Sequence, residues 1–223
     1  MSASLTELAR AVLQPVDAPA SFVRSQVIGP DEDEDATEVD EWVALDAAVA
    51  RRMAQGGGAV VLRVGPGLAA LVEAPRVNGL ELEAVIAAGD RLRLDEAADA
   101  VARALDAGVK IRAALATGAT GIDAYRAAAA ARYRLGTRVP IRVRWDDVLD
   151  VKGAALALTF GADELAGPLA PRRERQRLAQ IGGPPEDAGR PSPAYVEALI
   201  RAAGRLPIRR SPGPLAAGQG GLR

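Results

Sequence analysis

From residue 109 onward, short apolar runs alternate in strict order with Ala-rich helical patterns and glycine turns. Val109-Lys-Ile-Arg-Ala-Ala-Leu115 reads as a strand. Asp123 to Leu135 reads as a helix that Gly136 ends, and Val139-Pro-Ile-Arg-Val-Arg-Trp145 as an alternating strand. Asp147 to Leu156 follows as a helix and Ala157-Leu-Thr-Phe160 as a short apolar strand. Strand, helix, strand, helix, strand is the order of parallel β/α units, and it makes the fold class α/β.

Upstream, Trp42, Leu45, Val49 and Met53 recur at helical spacing, which predicts a helix from Trp42 to Gln55. Ala59 to Val64 reads as a strand, Leu80 to Ala88 as a short helix and Asp95 to Leu105 as a stronger one. About one residue in five is Ala and aromatics make up 3%, so helices with small side chains are expected to pack closely. The pattern divides the chain into an N-terminal helix and linker (1–28), an acidic linker (29–41), an α/β domain (42–210) and a flexible tail (211–223). Five consecutive acids at Asp31–Asp35 repel one another and belong in solvent, not in a core.

The chain has no Cys and no His. Disulfides, thiolate nucleophiles, Cys-held zinc or iron–sulfur clusters, His general bases and Ser-His-Asp triads are thereby excluded. No metal and no cofactor is expected. The formal net charge of −1 gives no general reason to expect nucleic-acid binding. No stretch approaches the apolar length of a membrane span, and the first residues lack a signal peptide's basic start and apolar core. No membrane insertion and a cytoplasmic location are the expectations.

Several segments in the carboxyl half carry a resemblance. They are Thr120-Gly121-Ile-Asp123-Ala-Tyr-Arg126, the Ala-rich stretch through Arg132, Ile141 to Trp145, and Ala155-Leu-Ala-Leu-Thr-Phe-Gly-Ala-Asp-Glu-Leu-Ala-Gly-Pro-Leu169. Ile200-Arg-Ala-Ala-Gly-Arg-Leu-Pro-Ile-Arg209 completes the set. In this order they resemble the last third of radical S-adenosylmethionine enzymes that make menaquinone through futalosine intermediates, and of relatives that make the deazaflavin cofactor. The resemblance spans roughly residues 117–210 and implies a partial or atypical TIM-like barrel. The family's chemistry runs on a cluster held by a CxxxCxxC loop, which this chain lacks. It is also short for a complete eight-unit barrel of about 250 residues. The resemblance therefore implies a non-radical, cluster-less relative, acting as an accessory or substrate-binding partner of menaquinone-biosynthesis enzymes. Two alternatives stand beside it: a non-radical enzyme using Asp/Glu acid–base chemistry, and a structural protein-interaction domain.

Asp163 and Glu164 follow an apolar run read as a strand, which places them at the carboxyl edge where β/α folds hold ligands. They are the candidate catalytic pair, and the family also has an acid pair here. A helix N-terminal acid pair that stabilises the dipole is the alternative. Arg142 and Arg144 share one strand face, with Trp145 beside them. Facing a cavity, the arginines would grip a carboxylate or phosphate; facing solvent, they would be ordinary surface charges. Thr117 and Thr120 flank Gly118 and Gly121 in a loop whose N–H groups suit an anion, or simply turn the chain. Arg172, Arg173, Arg175 and Arg177 form a local basic cluster. An open β/α sheet leaves two edges uncovered, so association with a second copy or a related subunit is expected, with a small-molecule substrate as the further partner.

Overall fold

The computed structural model describes residues 18–28, 39–55, 59–65, 71, 80–88, 91–170 and 190–210. Among the described residues, eight strands and five helices follow one another. β1 (Pro19–Ile28), β2 (Glu41–Ala44), α1 (Ala47–Gln55), β3 (Val60–Val64) and β4 (Glu81–Ala88) come first. Next are α2 (Arg91–Asp106), β5 (Ile111–Gly118), α3 (Gly121–Leu135) and β6 (Ile141–Arg144). Then α4 (Val151–Leu156) runs into a 3₁₀ turn (Ala157–Phe160), before β7 (Glu164–Gly167), α5 (Pro193–Ala202) and β8 (Leu206–Arg209).

All strand pairings are parallel, including β5 with β6. β1 through β7 pair in sequence, and β7 returns to β1, which closes a seven-stranded barrel. β8 lies outside that ring. Phe22 O accepts from Arg210 N and Arg24 O accepts from Asp40 N. Carbonyls two residues apart point to the same strand edge. β8 and β2 therefore lie end to end along one edge of β1, and β7 takes the other. The TIM-like architecture is thus a seven-strand variant in which the eighth strand covers half a seam.

Alternation along each strand separates two environments. Outward residues such as Phe22, Leu62, Leu82, Ile86, Ile141, Val143 and Leu165 join one apolar layer with the helices. In α3, Ala124, Ala127, Ala128 and Ala131 are fully buried there, so the helix approaches the sheet closely. Inward residues are of mixed character: Val23, Val43, Val61, Ala113, Leu115 and Ala166 alternate with Ser21, Ser25, Glu41, Glu83, Arg142, Arg144 and Glu164.

Four sequence expectations need correction. Part of the N-terminal stretch read as a helix and linker is the long strand β1, which belongs to the barrel. Trp42 lies in β2 and the helix starts only at Ala47, where Asp46 Oδ1 accepts from Ala48 N and Val49 N at 2.7 and 3.1 Å. Leu80 to Ala88 is not a helix but β4, buried on both faces, where a parallel strand loses the simple apolar–polar alternation. Ala157–Phe160 is not a strand. Gly161, at φ +98°, turns the chain after it, Ala157 and Leu158 are buried, and Phe160 stacks on Tyr125 at 4.8 Å.

Closure also removes the two open edges from which association with a second copy or related chain was expected. The helix expected at 4–13, the acid run 31–35, the arginine cluster 172–177 and the tail 211–223 lie outside the described residues. Among the described residues, no helix is long and apolar enough to cross a membrane.

Gly167 ends β7 against Trp145. A Cβ there would sit 2.5 Å from Trp145 Cε2, inside a ring that is nearly fully buried. Gly167→Ala is expected to displace the indole and lower stability by about 1–3 kcal/mol. Urea unfolding followed by tryptophan fluorescence measures this, and a shift of the native emission maximum should accompany the loss.

Candidate functional site

Most of the inward polar residues meet at the middle and N-terminal end of the barrel. Arg142, fully buried, is the hub. Its Nε and Nη2 donate to Glu164 Oε1 at 2.8 and 2.6 Å. Its Nη1 donates to Glu41 Oε1 at 2.6 Å and to Glu83 Oε1 at 2.8 Å. The outer carboxylate oxygens are held in turn. Glu83 Oε2 pairs with Arg63 Nε at 2.6 Å. Glu164 Oε2 takes Ser21 Oγ at 3.0 Å, Arg210 Nη1 at 3.0 Å and Arg112 Nη1 at 3.6 Å.

Arg112 reaches the interior because the β4–β5 register shifts there: Leu82 pairs with Ile111 but Glu83 pairs with Ala113. The extra residue of a bulge re-aims its side chain. Arg112 then also lies 3.6 Å from Glu41 and 3.8 Å from Glu81. Four arginines (63, 112, 142, 210) thus face four glutamates (41, 81, 83, 164), and the cluster is neutral overall.

This geometry fixes the protonation states. Burial alone would raise the Glu164 carboxyl, but Arg142, Arg112 and Arg210 outweigh it and hold it below its ordinary value. Glu83 behaves the same way, with Arg142, Arg63 and Arg144 outweighing burial. Burial likewise works against the charge of Arg142, and Glu164, Glu41 and Glu83 more than restore it.

Asp163 differs. Its Oδ1 accepts from Ile141 N at 2.7 Å and its Oδ2 from Arg132, yet burial still leaves its carboxyl above the ordinary value. Asp163 lines a cavity of about 350 Å³ with Pro19, Ser21, Thr137, Pro140, Ile208 and Arg210. The cavity opens at the N-terminal ends of β1, β6 and β7 beside β8.

The structure therefore divides the predicted site residues between two ends. Arg142 and Glu164 meet in the cluster, with Asp163 beside it. The acid pair starts β7 rather than following a strand, so it lies at the N-terminal face and not at the carboxyl edge where it was expected. Arg144 points into the barrel nearer the C-terminal end. It donates to Ser25 Oγ at 2.6 Å and grips Asp146 through two bonds at 2.9 and 2.8 Å. Trp145 is buried on the outside, its Nε1 donating to Pro168 O at 3.0 Å.

Thr120 caps α3. Its Oγ1 accepts from Asp123 N at 3.2 Å and donates to Asp123 Oδ2 at 2.8 Å. Thr117 Oγ1 donates to Asp147 Oδ2 at 2.5 Å. Among the described residues no group of three or more acids is placed to hold a metal ion.

Sequence reasoning missed Glu41, Glu83, Arg112, Ser21 and Arg210. The available signal was period two: Glu81 and Glu83 on β4 and Arg142 and Arg144 on β6 recur at alternate positions of otherwise apolar strands. That pattern marks a polar interior.

Arg142→Met would leave three buried glutamates facing one another, and a stability loss of about 3–5 kcal/mol is expected in urea unfolding. The pH dependence follows from the depressed carboxyls of Glu83 and Glu164. Their folded values lie below the ordinary 4.5, so the stability they contribute is present above 4.5. It is lost as pH falls through the lower folded values, where the folded state must take up protons it otherwise excludes. Unfolding midpoints between about pH 7 and pH 3 should drop in that acid range, and the drop should be shallower in Glu164→Gln.

No protein-family model matches this chain, and no curated protein matches it. Among solved structures it is similar to the dihydropteroate synthase of Thermus thermophilus, crystallised in complex with 4-aminobenzoate. That likeness has 12% identity over 74% of this chain and 94% of that chain, with a TM-score of 0.42. A likeness this distant carries nothing about chemistry, and the barrel rests on the strand pairing itself.

Proposed function

We propose that this chain is a non-radical barrel that serves as an accessory or substrate-binding partner of menaquinone-biosynthesis enzymes. One observation carries the choice of binding over catalysis: Glu164 is shared by Arg142, Arg112, Arg210 and Ser21. A general base needs a proton affinity near the working pH and a reachable lone pair. Glu164 is held ionised and is saturated with donors, so it suits a structural role.

Asp163 is held in place by Ile141 N and Arg132, which suits a binding carboxylate better than one that transfers protons. The absence of any thiol removes the family's radical chemistry from this chain alone. The ordered segments between residues 117 and 210 remain the ground for the menaquinone connection.

Affinity purification of the full chain from its native source, at native abundance, tests the proposal. A cluster-bearing radical S-adenosylmethionine enzyme of menaquinone synthesis is expected to co-purify, and deletion of the chain should lower cellular menaquinone. Recovery of no such enzyme, with unchanged menaquinone, would overturn the reading and leave a plain interaction domain.

A further inference from the structure

The cavity at the N-terminal face has a chemistry that the partner reading does not use. One end carries Arg210, whose Nη1 meets Glu164 at 3.0 Å while 40% of its side chain stays exposed. Another wall carries Asp163, with 24% of its side chain exposed and Arg132 behind it. The ion pair of Arg210 is made with Glu164 and not with Asp163. The cavity thus carries a cation and an anion in its lining, each paired with an opposite charge behind it.

A simple anion entering here would meet Arg210 but also the carboxylate of Asp163. A simple cation would meet Asp163 but also Arg210. A ligand carrying both charges satisfies both walls. The remaining lining suits such a molecule, since Thr137 adds a hydroxyl, and Pro19, Pro140 and Ile208 add an apolar flank. The volume of about 350 Å³ is at the small end of ligand pockets.

We propose that this cavity binds a small zwitterion of the amino-acid class, its carboxylate on Arg210 and its ammonium on Asp163. Each carboxylate oxygen has two lone pairs, so Asp163 can accept from the ammonium while keeping Ile141 N and Arg132. Burial holds the Asp163 carboxyl above its ordinary value, and a bound ammonium would bring it down again.

The site lies opposite the carboxyl edge that β/α barrels normally use. It stands apart from the partner proposal, because neither co-purification nor menaquinone content bears on it.

Isothermal titration of the full chain with L-alanine, L-glutamine and L-glutamate tests it. Propionate and propylamine serve as single-charge controls. At least one amino acid is expected to bind about tenfold or more tighter than either control. Ile208→Trp fills the cavity from β8 without changing any charge, and Ile208 is half exposed, so the fold should survive. That variant should lose amino-acid binding at an unchanged melting temperature. Three results would overturn the proposal: no binding of any amino acid, equal binding of propionate or propylamine, or full binding retained in a folded Ile208→Trp. Arg210→Gln is the supporting arm and should weaken binding of the carboxylate end.

Discussion

Arg142 is the residue on which the barrel interior depends. Three strands, β2, β4 and β7, deliver a buried glutamate to one guanidinium on β6. None of these charges could be buried singly. A desolvated carboxylate or guanidinium costs several kcal/mol unless its partner and hydrogen bonds come with it. The cluster is therefore a statement about registration. Glu41, Glu83 and Glu164 can reach Arg142 only when their strands hold the register observed, and a one-residue slip would turn each of them into the apolar helix layer. The net stability from such a cluster is modest, because the attraction between the charges is offset by the cost of desolvating them.

The same cluster explains why a barrel with so few large side chains needs no aromatic filling at its axis. Seven-fold closure leaves a narrow interior. Paired arginine and glutamate side chains fill its middle and N-terminal part, and Val23, Val43, Leu115 and Ala166 contribute apolar surface. Outside the barrel the solution is the opposite one. Alanines on α3 let the helix sit close, and Tyr125 with Phe160 supplies one of the few aromatic contacts. Interior charge and exterior alanine are complementary answers to the same low aromatic content.

Much of the fold was legible from residue 109 onward, where turns are marked by glycine and helices by alanine. The parallel order of β5, β6 and their helices follows from that punctuation. Upstream the signal failed for identifiable reasons. β4 contains Glu-Leu-Glu-Ala-Val-Ile-Ala-Ala, whose alanines and glutamates favour a helix by local propensity, and the tertiary pairing with β3 and β5 overrides it. β1 is buried by strands far away in sequence, so nothing local marks it as the barrel's first strand. The site was half legible. Arg142 and Glu164 were visible as unusual polar residues, but their mutual contact was not, because the run before Asp163 has a strand's composition and a 3₁₀ geometry. Arg112 was invisible in principle, since a bulge placed it.

The position of β1 has a consequence for the order in which this chain can assemble. Ser21 pairs with Glu164 and Pro19 with Leu206, so the strand synthesised first waits for strands synthesised last. Until then β1 holds only its C-terminal half against β2, through Ser25 to Ile28. β2 to β6 can join neighbour to neighbour as they emerge. Their growing sheet is open until β7 arrives and carries Glu164 to Arg142. β8 then lies along the exposed first half of β1, with Arg205 fastening the junction through Ala18 O at 2.9 Å and Pro19 O at 3.1 Å. A ribosome holding a chain truncated before residue 164 thus presents a sheet with two free edges and a central arginine still short of one glutamate, a form that chaperones and neighbouring nascent chains meet before the closed barrel exists.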